Sequence, residues 1–309
     1  MLKIKITDSI GNTPLFDLSV LLNDRSGARI CAKGEFLNLS GSVKDRAAKA
    51  MLEDGIRQGK LTKDKMIVEA TSGNTGIAYA MIGASLGFKV RLFMPENVTT
   101  ERKVMMRAYG AEIVETPALE GIEGAYEAAK KQVAEDPGKY FYPDQYINPQ
   151  NWLAHYNTTA NEIWEQTNGS VTHFVAGTGT GGTFMGCTKR LKELNSSIRC
   201  YNMTPDMPFH GIEGVKHVAM VEGKGFFDKS VSDGEIVVTT EEAYAMARRI
   251  AKKTGIFAGI SSGANVAAAV KLSKELPDDS VIATVLCDSG SRYFSGILWS
   301  NIKIGDDYD

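Results

Sequence analysis

Short β-rich runs alternate with longer helical stretches along this chain, and that order restricts it to one fold class. The runs at 28–32, 65–70, 88–94, 111–115, 172–176, 198–203 and 281–287 read as strands. Helical patterns follow from Lys44 onward and at 75–86, 100–109, 122–134, 150–166, 182–194, 240–253 and 262–276. Strands separated by helices long enough to cross over argue for an α/β fold, with parallel-type sheets flanked by helices. Gly87, Gly110 and Gly255 fall just past helices, where a left-handed residue closes the last turn. Pro277 cannot continue the helix before it. With 309 residues, 43% of them hydrophobic, the chain can bury a large core, and two lobes are expected rather than one. The polar stretch 143–150 holds two prolines and marks a crossover between lobes. Residues 207–233 lack periodicity, and a loop that long inside a compact domain is usually functional. The acidic tail Asp306-Asp307-Tyr308-Asp309 is expected to fray.

Charge and cysteine usage exclude several classes. A formal net charge of -2 offers no bulk attraction to nucleic acid or to an anionic membrane. Cys31, Cys187, Cys200 and Cys287 lie far apart, without a CxxC pair or a Cys/His cluster. Neither a disulfide framework nor a metal site is expected, and a reduced, cytoplasmic setting fits. The first residues are too short and interrupted for a signal peptide. The apolar stretch 77–86 soon closes at Gly87 and reads as a buried helix, not a membrane span.

Four features carry chemistry. Lys44 sits in Ser40-Gly41-Ser42-Val43-Lys44-Asp45-Arg46, a turn running into a helix, with Ser42 as candidate N-cap. The helix dipole and Arg46 would disfavour a second cation there, while Asp45 opposes them. A lysine amine is nucleophilic only when neutral, so a lowered pKa suits Schiff-base chemistry; the ordinary alternative is a solvated lysine. Thr71-Ser72-Gly73-Asn74-Thr75-Gly76 joins a strand to a helix and offers hydroxyls and free N–H groups to a carboxylate or phosphate. The alternative is a capped turn. Gly177-Thr178-Gly179-Thr180-Gly181-Gly182-Thr183 lies in the same context, and its glycines let the backbone close around an anion. It satisfies GxGxxG, yet the next strand ends Cys200-Tyr201-Asn202-Met203, without the acid a dinucleotide ribose wants. Gly259-Ile260-Ser261-Ser262-Gly263-Ala264 lies between two helices and reads as an N-cap and turn. One lysine nucleophile, one phosphate cradle and one carboxylate loop together suit pyridoxal 5′-phosphate.

With these motifs the chain resembles the fold-type II pyridoxal-phosphate enzymes of the cysteine synthase and cystathionine β-synthase family. The resemblance runs from Gly11-Asn12-Thr13-Pro14-Leu15 to Asp288-Ser289-Gly290-Ser291-Arg292-Tyr293. It implies a two-lobed, tryptophan synthase β-like fold. The larger cofactor-binding lobe would comprise 1–36 and 144–309, and a smaller mobile substrate lobe 37–143. It makes Lys44 the cofactor lysine and catalytic base. Gly179, Thr180, Gly181, Gly182 and Thr183 would hold the phosphate. Ser261 would face the pyridine nitrogen, and Asn74 the ring oxygen. Thr71, Ser72, Asn74, Thr75 and Gln145 would bind the substrate carboxylate. The implied reaction is β-replacement on an O-activated L-serine by sulfide, giving L-cysteine. A homodimer is implied; nothing in the sequence speaks for or against a complex with serine acetyltransferase.

Four positions depart from the family's usual pattern. Leu39 and Cys287 stand where proline is common, and Ser291 where glutamate is; all three read as peripheral to the chemistry. Lys216, in His210-Gly211-Ile212-Glu213-Gly214-Val215-Lys216, stands where many O-acetylserine enzymes have glycine. A cation here would hold a phosphate leaving group or an anionic sulfur donor, or stay a solvated loop lysine. Rival readings are a cystathionine or lanthionine synthase, a cysteine desulfhydrase-type lyase, a non-catalytic cofactor-binding regulator and an NAD-dependent dehydrogenase.

Overall fold

The computed structural model describes residues 5–22, 28–71, 73–223 and 225–302. Among them ten strands form two sheets: β1 (Leu15–Asp17), β2 (Arg29–Gly34), β3 (Met66–Ala70), β4 (Val90–Pro95), β5 (Glu112–Thr116), β6 (Tyr140–Phe141), β7 (His173–Gly177), β8 (Arg199–Pro205), β9 (Gly234–Val238) and β10 (Val281–Leu286). The larger sheet has the order β1-β2-β10-β7-β8-β9 and the smaller β5-β4-β3-β6. β1 pairs antiparallel with β2; every other pair is parallel. Parallel neighbours need long crossovers, which the alternating helices supply. The result is a two-lobed α/β fold with parallel sheets flanked by helices. All strands of the smaller sheet lie within 66–141.

The central elements are apolar because both their faces are covered. All six residues of β10 are buried between β2 and β7. Helix Asn74–Leu86 is buried from Thr75 to Gly83, packed between helix Lys44–Arg57 and the small sheet. Burying a side chain such as Ile77 or Ile82 there contributes about 1.5–3 kcal/mol. Among the described residues no helix is long and apolar enough to cross a membrane.

Three strands escape the sequence pattern. β1 has 3 residues and β6 has 2, too short for a period to register. β9 is an edge strand with half its residues turned outward. The helix expected at 150–166 is interrupted: Gln150–Ala154 passes through a π-helical turn, His155–Thr159, into Ala160–Gln166. There helix Gly182–Leu194 presses so close that a Cβ on Gly186 would collide with the Trp152 carbonyl. Such widened turns cluster at functional sites. Gly87, Gly110 and Gly255 all have positive φ, as their places past helix ends require.

Candidate active site

The lysine helix is fastened at its start. Ser42 bridges to Asp288, and the Val43 N–H donates to the Cys287 carbonyl at 2.8 Å, at the C-terminal end of β10. Val43, not Ser42, is the helix N-cap, and no side chain caps it. Ser42 instead accepts from the Lys44 N–H at 3.3 Å. Lys44 is partly buried, and among the described residues its amine has no hydrogen-bond or ion-pair partner. Burial lowers its pKa, while Cys287 and Asp288 pull upward. This corrects the account drawn from Arg46 and Asp45. The Asp45 carboxylate accepts from the Ser40 N–H at 2.6 Å and from its hydroxyl, and Arg46 is paired with Glu35 and Glu162. Desolvation, not a neighbouring cation, biases Lys44 towards the neutral, nucleophilic amine.

Two cavities meet at Lys44. One is walled by Lys44, Asn74, Gly179, Thr180, Gly181, Gly182, Thr183 and Ser261. The other, about 480 Å³, is walled by Lys44, Thr71, Asn74, Thr75, Gln145 and Lys216, among others. Every site residue anticipated from the sequence therefore lies on one of them except Ser72, which lies outside the described residues.

The first cavity is shaped by backbone. A Cβ on Gly179 would strike the Gly214 carbonyl, and one on Gly182 would strike Asn151 Oδ1. Gly181 has φ +93, a conformation open to glycine. Helix Gly182–Leu194 begins here, its Gly182 N–H donating to Thr180 Oγ1 at 3.4 Å and its first turn facing the loop. Asn151 Nδ2 donates to Thr180 Oγ1 at 3.0 Å. Thr183 Oγ1 sits 3.3 Å from Nε2 of His155. Burial, with Arg46 and Lys44 nearby, holds His155 well below its usual pKa and keeps it neutral. Thr178 turns away to donate to Asn202 at 2.6 Å. Ser261 lies in the first turn of helix Ile260–Ser273, not in a separate turn. Its hydroxyl interacts with Cys287, whose thiol burial pushes up to about 11. Cys287 lines this cavity beside Lys44, so it is not peripheral. Leu39 and Ser291 are exposed.

The second cavity is shaped by side chains. Thr75 Oγ1 donates to Gln145 Oε1 at 2.8 Å, and Gln145 Nε2 donates to the Ala70 carbonyl at 3.2 Å. Asn74 Nδ2 donates to Asp288 Oδ2 at 2.7 Å, and Arg292 donates to Asn74 Oδ1. Tyr293 also donates to Asp288 Oδ2, at 2.7 Å. Across the cleft, Arg102 pairs with Glu213 at 2.6 Å. Lys216 lies 3.9 Å from Glu123 and 4.5 Å from the centre of the Tyr146 ring. The aperiodic 207–233 stretch thus supplies one wall of the cleft, through Glu213, Gly214, Val215 and Lys216.

Several residues that build the site carried no role in the sequence reading: Asp288, Arg292, Asn151 and His155. Asp288 and Arg292 entered it only at the far end of the resemblance. Asn151 gave no local signal and His155 was given no role, because each matters through a loop about 30 residues away, at separations of 29 and 28.

Comparison with known proteins gives a consistent set of relatives. A family model described as pyridoxal-phosphate dependent enzyme matches residues 6–288. Cysteine synthase of Aquifex aeolicus is 47% identical over 297 residues, covering 94% of this chain and 91% of that protein. A crystal structure of cysteine synthase from Entamoeba histolytica matches with a TM-score of 0.92 at 36% identity, over 99% of this chain and 93% of that one. The O-acetylserine dependent cystathionine β-synthase of Helicobacter pylori matches with a TM-score of 0.87 at 36% identity, over 97% of this chain and 99% of that one.

Proposed function

Because this chain belongs to the pyridoxal-phosphate-dependent enzymes of the cysteine synthase type, we propose that it replaces the β-substituent of an O-activated L-serine by sulfide, giving L-cysteine. One observation carries the reading. A desolvated lysine without an ion-pair partner lies where a backbone cradle and a hydroxyl-rich loop converge.

The residues present fit the cofactor. The first cavity is walled by Gly179, Gly181 and Gly182 and opens at the start of helix Gly182–Leu194, where backbone N–H groups suit a phosphate. Gly179, Thr180, Gly181, Gly182 and Thr183 would hold that phosphate, Lys44 the carbonyl carbon, Ser261 the ring nitrogen and Asn74 the ring oxygen. When bound, pyridoxal phosphate supplies the electron sink that lets an amino acid lose its α-proton and then its β-substituent.

Thr71, Ser72, Asn74, Thr75 and Gln145 hold the substrate α-carboxylate, which sets the α-carbon before the Lys44 amine. Lys44 Nζ, biased towards the neutral form, would be freed as the substrate amine takes its place, take the α-proton as general base and return it after sulfide has added. The hydroxyl of Ser261 leaves the ring nitrogen without a charged partner, which suits loss at the β-carbon. The lobe at 37–143 closes on the lobe formed by 1–36 and 144–309 and excludes water. The enzyme works as a cytoplasmic homodimer on this reading.

The test is the purified protein loaded with pyridoxal phosphate. The wild type should be yellow and should make cysteine from O-acetyl-L-serine and sulfide. Lys44→Ala should lose that colour and at least about 10³-fold in turnover. A Lys44→Ala enzyme of normal activity would sink the mechanism.

A second reading concerns the leaving group. Lys216 and Arg102 both line the larger cavity, which suits a phosphate ester as well as an acetyl ester. Lys216→Ala should then raise KM for O-phospho-L-serine about tenfold, with little change for O-acetyl-L-serine. Equal losses with both substrates would remove the phosphate role.

A further inference from the structure

Glu69 is the next-to-last residue of β3, fully buried, and the mechanism above does not use it. Its two oxygens are both engaged. Oε1 accepts from the Ala70 N–H at 3.0 Å, and Oε2 from the Gln145 N–H at 3.2 Å. Among the described residues it has no ion-pair partner. The neighbours that act on it are acids and phenols: Asp144 and Tyr142 from the crossover segment, with Tyr79 from helix Asn74–Leu86 and Tyr146 feeling its charge in turn. From helix Gly121–Glu135, Tyr126 donates to Asp144 at 3.0 Å.

The contact to Gln145 gives Glu69 a route to the substrate loop. Asp144, just before Gln145, has φ 48, an uncommon conformation for a residue with a side chain. The chain therefore turns sharply here, and the turn decides where the Gln145 side chain points. That side chain meets Thr75 Oγ1 and the Ala70 carbonyl, while the Gln145 carbonyl accepts from Asn151 at 2.6 Å.

We propose that Glu69 is a positioning residue: it holds the Gln145 backbone beneath the 71–75 loop, and by keeping or shedding its proton it sets how strongly that loop binds an α-carboxylate. The inference rests on the reading that this loop and Gln145 receive the substrate carboxylate. A neutral carboxyl accepts the two N–H groups and adds no charge. An ionised one places an uncompensated negative charge under a site built for another. Burial pushes Glu69 up to about 8, so the change falls in a measurable range. The sign follows from the direction. A carboxyl raised above its unfolded value lends stability that is complete below the ordinary glutamate range and is lost as pH rises through about 8.

The experiment compares wild-type and Glu69→Gln holoenzymes with O-acetyl-L-serine from about pH 6.5 to about pH 9.5. The amide cannot ionise; it keeps one acceptor, for Gln145, and sets its NH2 against the Ala70 N–H, a cost that does not vary with pH and so leaves the pH trend of the ratio unaffected. The ratio of wild-type to variant KM should rise about fivefold between the two ends, while the kcat ratio stays flat. Wild-type Tm should fall relative to the variant over the same window. Should Glu69→Gln not fold, the infrared C=O stretch of a protonated carboxyl in the wild type should fade near pH 8. A flat KM ratio, or an infrared spectrum without that titration, overturns the proposal and leaves the reaction intact. A wild type without turnover at any pH removes the functional reading, and this inference with it.

Discussion

The two loops that line the cavities at Lys44, 71–75 and 177–183, share one plan, strand then small-residue turn then helix, yet they are held in different ways. The 177–183 loop is packed at its backbone: the Gly214 carbonyl bars a Cβ at Gly179, Asn151 bars one at Gly182, and a left-handed glycine, Gly181, precedes the helix. The 71–75 loop is held from outside. Gln145 ties Thr75, while Asp288 and Arg292, from the segment after β10, hold Asn74. A loop whose glycines lie against neighbouring atoms has little room to change shape. A loop set by distant side chains changes as those segments move. The first arrangement suits a cofactor that stays, and the second a substrate that must enter and leave.

The comparison breaks most readily at the cradle. Gly179→Ala sets a methyl group against the Gly214 carbonyl, and overpacking of that kind costs about 1–3 kcal/mol. Affinity for pyridoxal phosphate should fall about 10- to 100-fold, read by equilibrium dialysis. The amino-acid KM of the fully loaded enzyme should barely move. Unchanged cofactor affinity would mean that backbone closeness does not define this loop.

Thr75→Val probes the other side with a smaller expected effect. It removes the hydroxyl that meets Gln145 and keeps the shape. Losing a hydrogen bond of about 1 kcal/mol should raise KM for O-acetyl-L-serine about fivefold, with cofactor affinity unaltered. Loss of both together would show the two loops to be one unit.

The smallest expected effect separates both loops from the lysine helix. Glu162 pairs with Arg46 and Lys33 at 2.5 Å each. Although burial opposes it, these cations hold its carboxyl at about 2. A depressed carboxylate lends stability that is present above the ordinary glutamate range and is lost as pH falls towards about 2. Wild-type Tm should therefore drop more steeply than that of Glu162→Gln over this acid window. Parallel curves would deny the cluster its share in anchoring the helix that carries Lys44.

Much of this was legible before any coordinates. The strand and helix pattern located seven of the ten strands, because a buried parallel strand is a local apolar run. The missing three are too short or too exposed to leave a pattern. Lys44, the 71–75 and 177–183 loops, Ser261 and Gln145, which line the two cavities, were all nameable, since each sits in a dense local motif. Cys287 was not placed correctly, because a departure from a usual residue says nothing about which wall it faces. The role of His155 was likewise not legible, for its neutrality comes from burial beside Arg46 and Lys44.

By itself the sequence determined the alternation that forces parallel sheets, the places where only glycine fits, and the position of the lysine at a helix start. These are local properties, written in neighbours a few residues apart. Only the tertiary structure decided that Asp288 would grip Asn74 across a separation of 214 residues, that desolvation rather than Arg46 would lower the Lys44 pKa, and that Glu69 would accept from the Gln145 N–H. Burial and pairing depend on which distant segments pack together, and no local pattern encodes that.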